Sequence, residues 1–307
     1  MIKAILTGAT GFIGFVLLRE LVQNDIYVYA LCRENSSRIS RIYGLENVEV
    51  LKVDLNCPEK IKELNKIIDC DIFYHLAWEG ERNNFHQQYK NIEISLKCLS
   101  LASELGCKRF ICTGSQAEYG KTLELITEET PLKPNTAYGS CKAAAYYLTS
   151  DLSKRLNIEH TWVRIFSTYG PTDNHNSLII KLIADIKHTG NAILITNGKH
   201  IWNYLYEDDV GRALRLLGIN NYSTGVFNLA SSICKPLSYF VEELKEIIRP
   251  DATITYGTEE STFNLNVTTM KILKNIGEFE NFSFNEGIKR IITANNDYLF
   301  ENSICTR

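Results

Sequence analysis

Close to the N-terminus the chain reads Ala4-Ile5-Leu6-Thr7-Gly8-Ala9-Thr10-Gly11-Phe12-Ile13-Gly14, after which Leu17, Leu18, Leu21 and Val22 recur at helical spacing. This is a short apolar strand, a glycine turn and an amphipathic helix. Glycines at 8, 11 and 14 permit a tight turn, close approach of the backbone to a pyrophosphate, and close packing of helix on strand, with phosphate held at the helix N-terminus. The spacing Gly-x-x-Gly-x-x-Gly departs from the usual dinucleotide fingerprint, so the flanking strand and helix carry the reading, with a purely structural turn as the alternative. Gly8, Thr10, Gly11, Phe12, Ile13 and Gly14 are therefore candidate cofactor-binding residues.

Outward from this turn, strands and helices alternate, which predicts an α/β fold of the Rossmann type: a doubly wound parallel sheet with ligands at the carboxyl ends of its strands. A second strand, 26–32, runs into Arg33-Glu34-Asn35-Ser36-Ser37-Arg38. A carboxylate there would accept the ribose hydroxyls of NAD. The cations and hydroxyls of Arg33, Ser36 and Arg38 suit a 2′-phosphate instead, so NADPH is expected over NADH, against Glu34 and the alternative of a solvated basic loop. Strand 48–53 ends in Asp54-Leu55, where Asp54 is placed to accept from the adenine amino group. Strand 71–77 contains His75-Leu76-Ala77 before Trp78, with His75 read as a packed core residue.

A fifth strand, 109–113, runs into Gly114-Ser115-Gln116-Ala117-Glu118-Tyr119-Gly120, and Ser115 stands where a hydroxyl can donate to a substrate oxygen. Dense apolar helices are expected at 85–105 and 136–157. On the second of these, Tyr138 and Lys142 are four residues apart and share one face. A free phenol titrates near pH ~10, so work as an acid or base at neutral pH asks for nearby positive charge. Strand six covers 160–165. Shorter elements follow: helices near 178–188, 237–248, 268–275 and 284–299, another from Glu207, and strands near Ile193, Tyr204 and 226–228. The division expected is a dinucleotide-binding domain over 1–166 and a smaller α/β substrate lobe over 167–307, some of whose segments return to the first domain.

Composition bounds the partners. The 307 residues are 45% hydrophobic and 22% charged with a net charge of −3, which is ordinary for a soluble globular chain and offers no general attraction to nucleic acid or an anionic membrane. Nine cysteines form no Cys-x-x-Cys pair, no apolar run approaches ~18 residues, and the chain enters its first strand without a signal-peptide layout. A cytoplasmic protein is expected, with no nucleic acid or membrane partner.

Taken in order, Gly8, Gly11 and Gly14, Asp54-Leu55, His75-Leu76-Ala77, Ser115 with Tyr119-Gly120, Tyr138 with Lys142, the run from Arg164 to Pro171, and Tyr204 to Val210 resemble the extended short-chain dehydrogenase/reductase family acting on nucleotide-activated sugars. The resemblance implies that Tyr138 exchanges a proton with the substrate oxygen. It further implies that Lys142 holds the nicotinamide ribose and lowers the tyrosine's pKa, and that Ser115 orients the reacting oxygen. Leu55, Leu76, Ala77 and Thr113 join the cofactor contacts, and Trp78, Gln116, Ser167 and Trp202 join Ser115 on the substrate side. A homodimer through helices 85–105 and 136–157 is also implied.

Departures from the family pattern narrow the reaction. Dehydratases of this family carry Asp-Glu directly after the catalytic hydroxyl residue, where this chain has Gln116-Ala117. Trp202-Asn203-Tyr204 stands where many relatives have Arg-Asp-Phe or Arg-Asp-Tyr, and Ser167 replaces a frequent Asn, so the diphosphate contact is left open, with Lys181, Lys187 and Lys271 as candidates. The expected function is NADPH-dependent reduction of the C4 ketone of a nucleotide-linked 4-keto-6-deoxyhexose. The alternatives are a nucleotide-hexose 4-epimerase with bound NAD and a non-catalytic NADPH-sensing module.

Overall fold

The computed structural model describes residues 1–58, 60, 67 and 69–298. Runs of β-branched, aromatic and small apolar residues form six consecutive parallel strands: β1 (Lys3–Thr7), β2 (Tyr27–Cys32), β3 (Val48–Lys52), β4 (Ile72–His75), β5 (Arg109–Ser115) and β6 (Glu159–Ile165). A seventh, β11 (Gly225–Leu229), adds beside β6, and the order across the sheet is β11-β6-β5-β4-β1-β2-β3. The order reverses between β1 and β4, where Thr7 pairs with His75, and a doubly wound sheet opens a crevice at such a point.

Alternate residues of each strand enter opposite cores. Leu6, Ala30 and Tyr74 pack with helix α1 (Phe12–Gln23), helix α6 (Glu207–Ile219) and helix α8 (Met270–Ile276). Ile5, Tyr29, Phe73, Phe110 and Trp162 pack on the other face with helix α3 (Lys90–Glu104) and helix α4 (Ala137–Leu156). With both faces covered, the strands read as continuous apolar runs. The helix expected over 85–105 is a short piece, α2 (Phe85–Gln88), running almost directly into α3 through Tyr89, with the Asn84 side chain capping its start.

Beyond β6 come β7 (Thr168–Tyr169), α5 (Leu178–Thr189), β8 (Asn191–Thr196), β9 (Ile201–Asn203) and β10 (Leu205–Tyr206) ahead of α6. After β11 follow β12 (Cys234–Pro236), α7 (Leu237–Ile248), β13 (Thr253–Glu259), α8 and α9 (Phe284–Tyr298). Helices α5, α7 and α9 share a separate core built on Ile183, Phe240, Leu244 and Ile288. Among the described residues no helix is long and apolar enough to cross a membrane.

Candidate active site

The glycine turn is shaped by contacts that a side chain would obstruct. Gly8 has φ +77°, and a Cβ there would come within 2.8 Å of the Ala77 backbone nitrogen. A Cβ on Gly14 would run into the Gly8 carbonyl. The chain passes from Gly8 into α1 through a hydrogen bond from the Gly11 N–H to the Gly8 carbonyl (2.9 Å), and no side chain caps the first turn of the helix. The amide groups there stay open to an anion.

Two cavities flank this turn and share Gly8, Gly11, Leu76 and Trp78 in their walls. One, of about 200 Å³, is also lined by Thr10, Arg33, Ser36, Asp54, Leu55 and Ala77. The other, of about 430 Å³, is lined by Phe12, Ile13, Gly14, Thr113, Ser115, Gln116, Tyr138 and Lys142. A long ligand with a diphosphate near its middle fits such a pair, so these residues suit a nicotinamide dinucleotide with its adenosine toward Asp54 and its nicotinamide toward Tyr138.

Charged and hydroxyl groups meet around the smaller cavity. Arg33 Nη1 lies 2.7 Å from Glu79 Oε2, an exposed ion pair at the cavity mouth. Thr10 and Ser36 share a hydroxyl–hydroxyl hydrogen bond of 3.1 Å. Asp54 accepts from the Asn56 backbone and side chain, which hold its pKa below the ordinary aspartate value. Arg38 is exposed and outside the lining, at the start of a short 3-10 turn.

His75 is structural, as the apolar strand predicts. It is 1% exposed, and burial pulls its pKa down to about 3, so it is neutral. The Ser95 hydroxyl donates to the Asn91 carbonyl and so accepts from His75 Nε2, leaving Nδ1 to accept from the Thr7 hydroxyl. Thr7 Oγ1 in turn accepts from the Leu76 and Ala77 amides, which sets the cavity wall.

Ser115, Tyr138 and Lys142 converge in the larger cavity. Ser115 Oγ accepts the Ala117 N–H at 3.2 Å, which leaves its own proton for the phenol of Tyr138, to which it is hydrogen-bonded. Burial raises the Tyr138 pKa, opposed by the Ser115 hydrogen bond and by the charge of Arg82, while Glu118 adds to the rise. Lys142 is buried, which lowers its pKa to about 8. Its Nζ donates to the Thr113 carbonyl at 2.6 Å and sits 3.7 Å over the Trp78 ring.

Beneath Ser115 lies an ion pair that the sequence did not announce. Glu118 is fully buried: it accepts the Ser115 N–H at 2.8 Å, Trp162 Nε1 at 3.1 Å and Arg164 Nε at 2.7 Å. Arg164 continues to Tyr119, whose hydroxyl donates to Asn228. Glu118 is therefore spent on structure.

Other expected residues lie elsewhere. Ser167 and Trp202 are outside the lining of both cavities, Trp202 packing against Phe263 and Tyr204 in the smaller lobe. Lys181, Lys187 and Lys271 do not line them either, and Lys271 stacks over Phe227. Arg82 does line the larger cavity, with its guanidinium carbon 5.0 Å from the Tyr138 ring centroid. No local pattern links these two residues, so sequence reasoning could not have paired them.

A family model described as the NAD dependent epimerase/dehydratase family matches residues 4–230. A dTDP-6-deoxy-L-talose 4-dehydrogenase (NAD(+)) from Aggregatibacter actinomycetemcomitans is 25% identical over 243 residues, spanning 78% of this chain and 88% of that protein. UDP-glucuronic acid decarboxylase 1 from Arabidopsis thaliana is 24% identical over 312 residues, spanning 95% of this chain and 69% of that one. Among solved structures, the UDP-glucuronic acid 4-epimerase from Bacillus cereus, in complex with UDP-glucuronic acid and NAD, superposes with a TM-score of 0.83 at 20% identity, covering 96% of this chain and 99% of that chain.

Proposed function

The chain belongs to the NAD dependent epimerase/dehydratase family, and on that premise we propose that it is an NADPH-dependent reductase acting on the C4 ketone of a nucleotide-linked 4-keto-6-deoxyhexose. One observation carries the reading. The described lining of the larger cavity holds the Tyr138 phenol, the Ser115 hydroxyl and the cations of Lys142 and Arg82, and no carboxylate, imidazole or thiol. Removal of water from the sugar calls for an acid and a base beside it. Gln116 and Ala117 provide neither, and Glu118 is held by Ser115, Trp162 and Arg164. Exchange of one hydride and one proton at a single carbinol is the chemistry left.

A bound nicotinamide dinucleotide would supply the hydride. Tyr138 gives the proton to the developing alkoxide, and Ser115 donates a hydrogen bond to the same oxygen. Lys142, with one proton committed to Thr113, keeps two for ribose hydroxyls. Among the relatives, the talose 4-dehydrogenase is named for oxidation at C4 of a nucleotide 6-deoxysugar. NADPH is favoured by Arg33 and Ser36 in the adenosine wall and by the absence of a carboxylate at the end of β2, although several solved neighbours are described in complex with NAD. We place the dinucleotide in residues 1–166, the sugar nucleotide mainly under 167–307, and a homodimer contact on the α2–α3 helices and α4.

A 4-epimerase is the second reading, because the same cavity, free of carboxylates, serves oxidation and reduction at one carbon equally well. A screen of NADPH and NADH against nucleotide 4-ketosugars, with product stereochemistry by NMR, separates the two. Stoichiometric NADPH oxidation is expected. No consumption with any nucleotide ketosugar rejects the reductase, and interconversion of C4 epimers by protein that retains NAD establishes the epimerase.

A further inference from the structure

The loop between β4 and α2 is tied down more firmly than its exposure suggests. Gln88, fully buried, donates to the carbonyls of Gly80 and Glu81 at 3.0 Å each and accepts Trp78 Nε1 at 2.7 Å. Asn91, also buried, closes a two-way bond with the Glu79 backbone, and Gln87 accepts the Glu81 N–H. The loop then docks on the first turn of α4, where the Tyr138 N–H donates to the Arg82 carbonyl at 3.0 Å. All these bonds run through backbone or through the amides, so none depends on the guanidinium of Arg82.

That guanidinium lies over the ring of Tyr138, 5.0 Å from its centroid, and, among the described residues, pairs with no carboxylate. Lys142 Nζ is farther from the same ring, 5.9 Å from its centroid, and is directed to the Thr113 carbonyl and the Trp78 face. From the β5 side Ser115 bonds the phenol, and Glu118, whose charge raises the phenol's pKa, is itself paired with Arg164.

Building on the reading of this cavity as an oxidoreductase site, we propose that Arg82 is a positioning residue for Tyr138, the cation that stabilises its phenolate as the phenol proton passes to the substrate oxygen. The phenolate then regains a proton from solvent. An opposite charge at this range favours the ionised form. A guanidinium keeps its charge across the working range, whereas burial lowers the pKa of Lys142 to about 8, so the charge of Arg82 adds to that of Lys142 and persists where the amine loses its own. Its position over the ring restrains the ring as well.

The test needs no ketosugar, so a failed substrate screen leaves it standing. Position 138 of the full chain is occupied by a fluorinated tyrosine, whose phenol titrates in an accessible range and whose single fluorine signal reports it alone. Relative to the otherwise unchanged chain, Arg82→Gln is expected to raise the titration midpoint by about half a pH unit to one unit, the lower end of the usual range because the guanidinium is exposed. Arg82→Lys is expected to recover most of that shift. Superimposable titrations of Arg82→Gln and the parent overturn the proposal, as do equal shifts in the Gln and Lys variants, which would mark a packing role. Once a substrate is in hand, Arg82→Gln should lower kcat at neutral pH with little change in KM, and an effect confined to KM also overturns it.

Discussion

Tyr138 is the residue on which the proposed chemistry turns, and its neighbours make the expectations specific. Tyr138→Phe should lower kcat by about 100-fold or more while cofactor affinity, read by fluorescence titration, is retained. Unchanged turnover would favour the non-catalytic sensing alternative. Lys142 is charged below about pH 8 and neutral above it, because burial favours the uncharged amine. If the charged form holds the ribose, as proposed, kcat/KM should fall as pH rises through about 8. At the other end of the cleft, Arg33→Ala should raise the KM for NADPH more than that for NADH, because Arg33 lines the smaller cavity, proposed for the adenosine, and would exchange Glu79 for the 2′-phosphate. Equal effects on the two cofactors would remove the argument for NADPH. Ser115, Tyr138 and Lys142 were legible because a strand end and a four-residue helical spacing are local patterns. Arg82 was not, since only the packing of a loop on α4 brings it to the phenol.

Between elements, the buried Glu118–Arg164 pair joins the end of β5 to β6 and holds the peptide of Ser115. Removing one partner strands the other as an uncompensated buried charge. Glu118→Gln should therefore cost about 3–5 kcal/mol in urea denaturation, whereas replacing both residues by apolar side chains of similar volume should restore most of that stability. If the restored double variant also regained full kcat, the hold of Glu118 on Ser115 would be irrelevant to catalysis. The glycine turn was read from residue type alone, and the clash of a Cβ on Gly14 with the Gly8 carbonyl gives its physical reason. The strand at 226–228 was also legible as an element. Its place beside β6 was not, because a crossover from α6 could have led to either the main sheet or the smaller lobe.

At the scale of the whole molecule, Phe85, Tyr89, Tyr147 and Leu148 stand exposed on α2, the start of α3 and α4, where a second copy would cover them. Light scattering at micromolar concentration should give a dimer mass, and Tyr147→Glu should shift it toward the monomer. A monomeric parent chain would refute the dimer. By itself the sequence determined the alternation of strands and helices, the glycine turn and the Ser115, Tyr138 and Lys142 set, because periodicity, turn chemistry and fixed spacings are properties of contiguous residues. Only the tertiary structure decided that Glu118 is consumed by Arg164, that Trp202 lies outside both cavities, and that Arg82 stands over Tyr138. These are contacts between residues distant in the chain, and which of many compatible charges and rings meet is settled by how the packed elements bring their ends together.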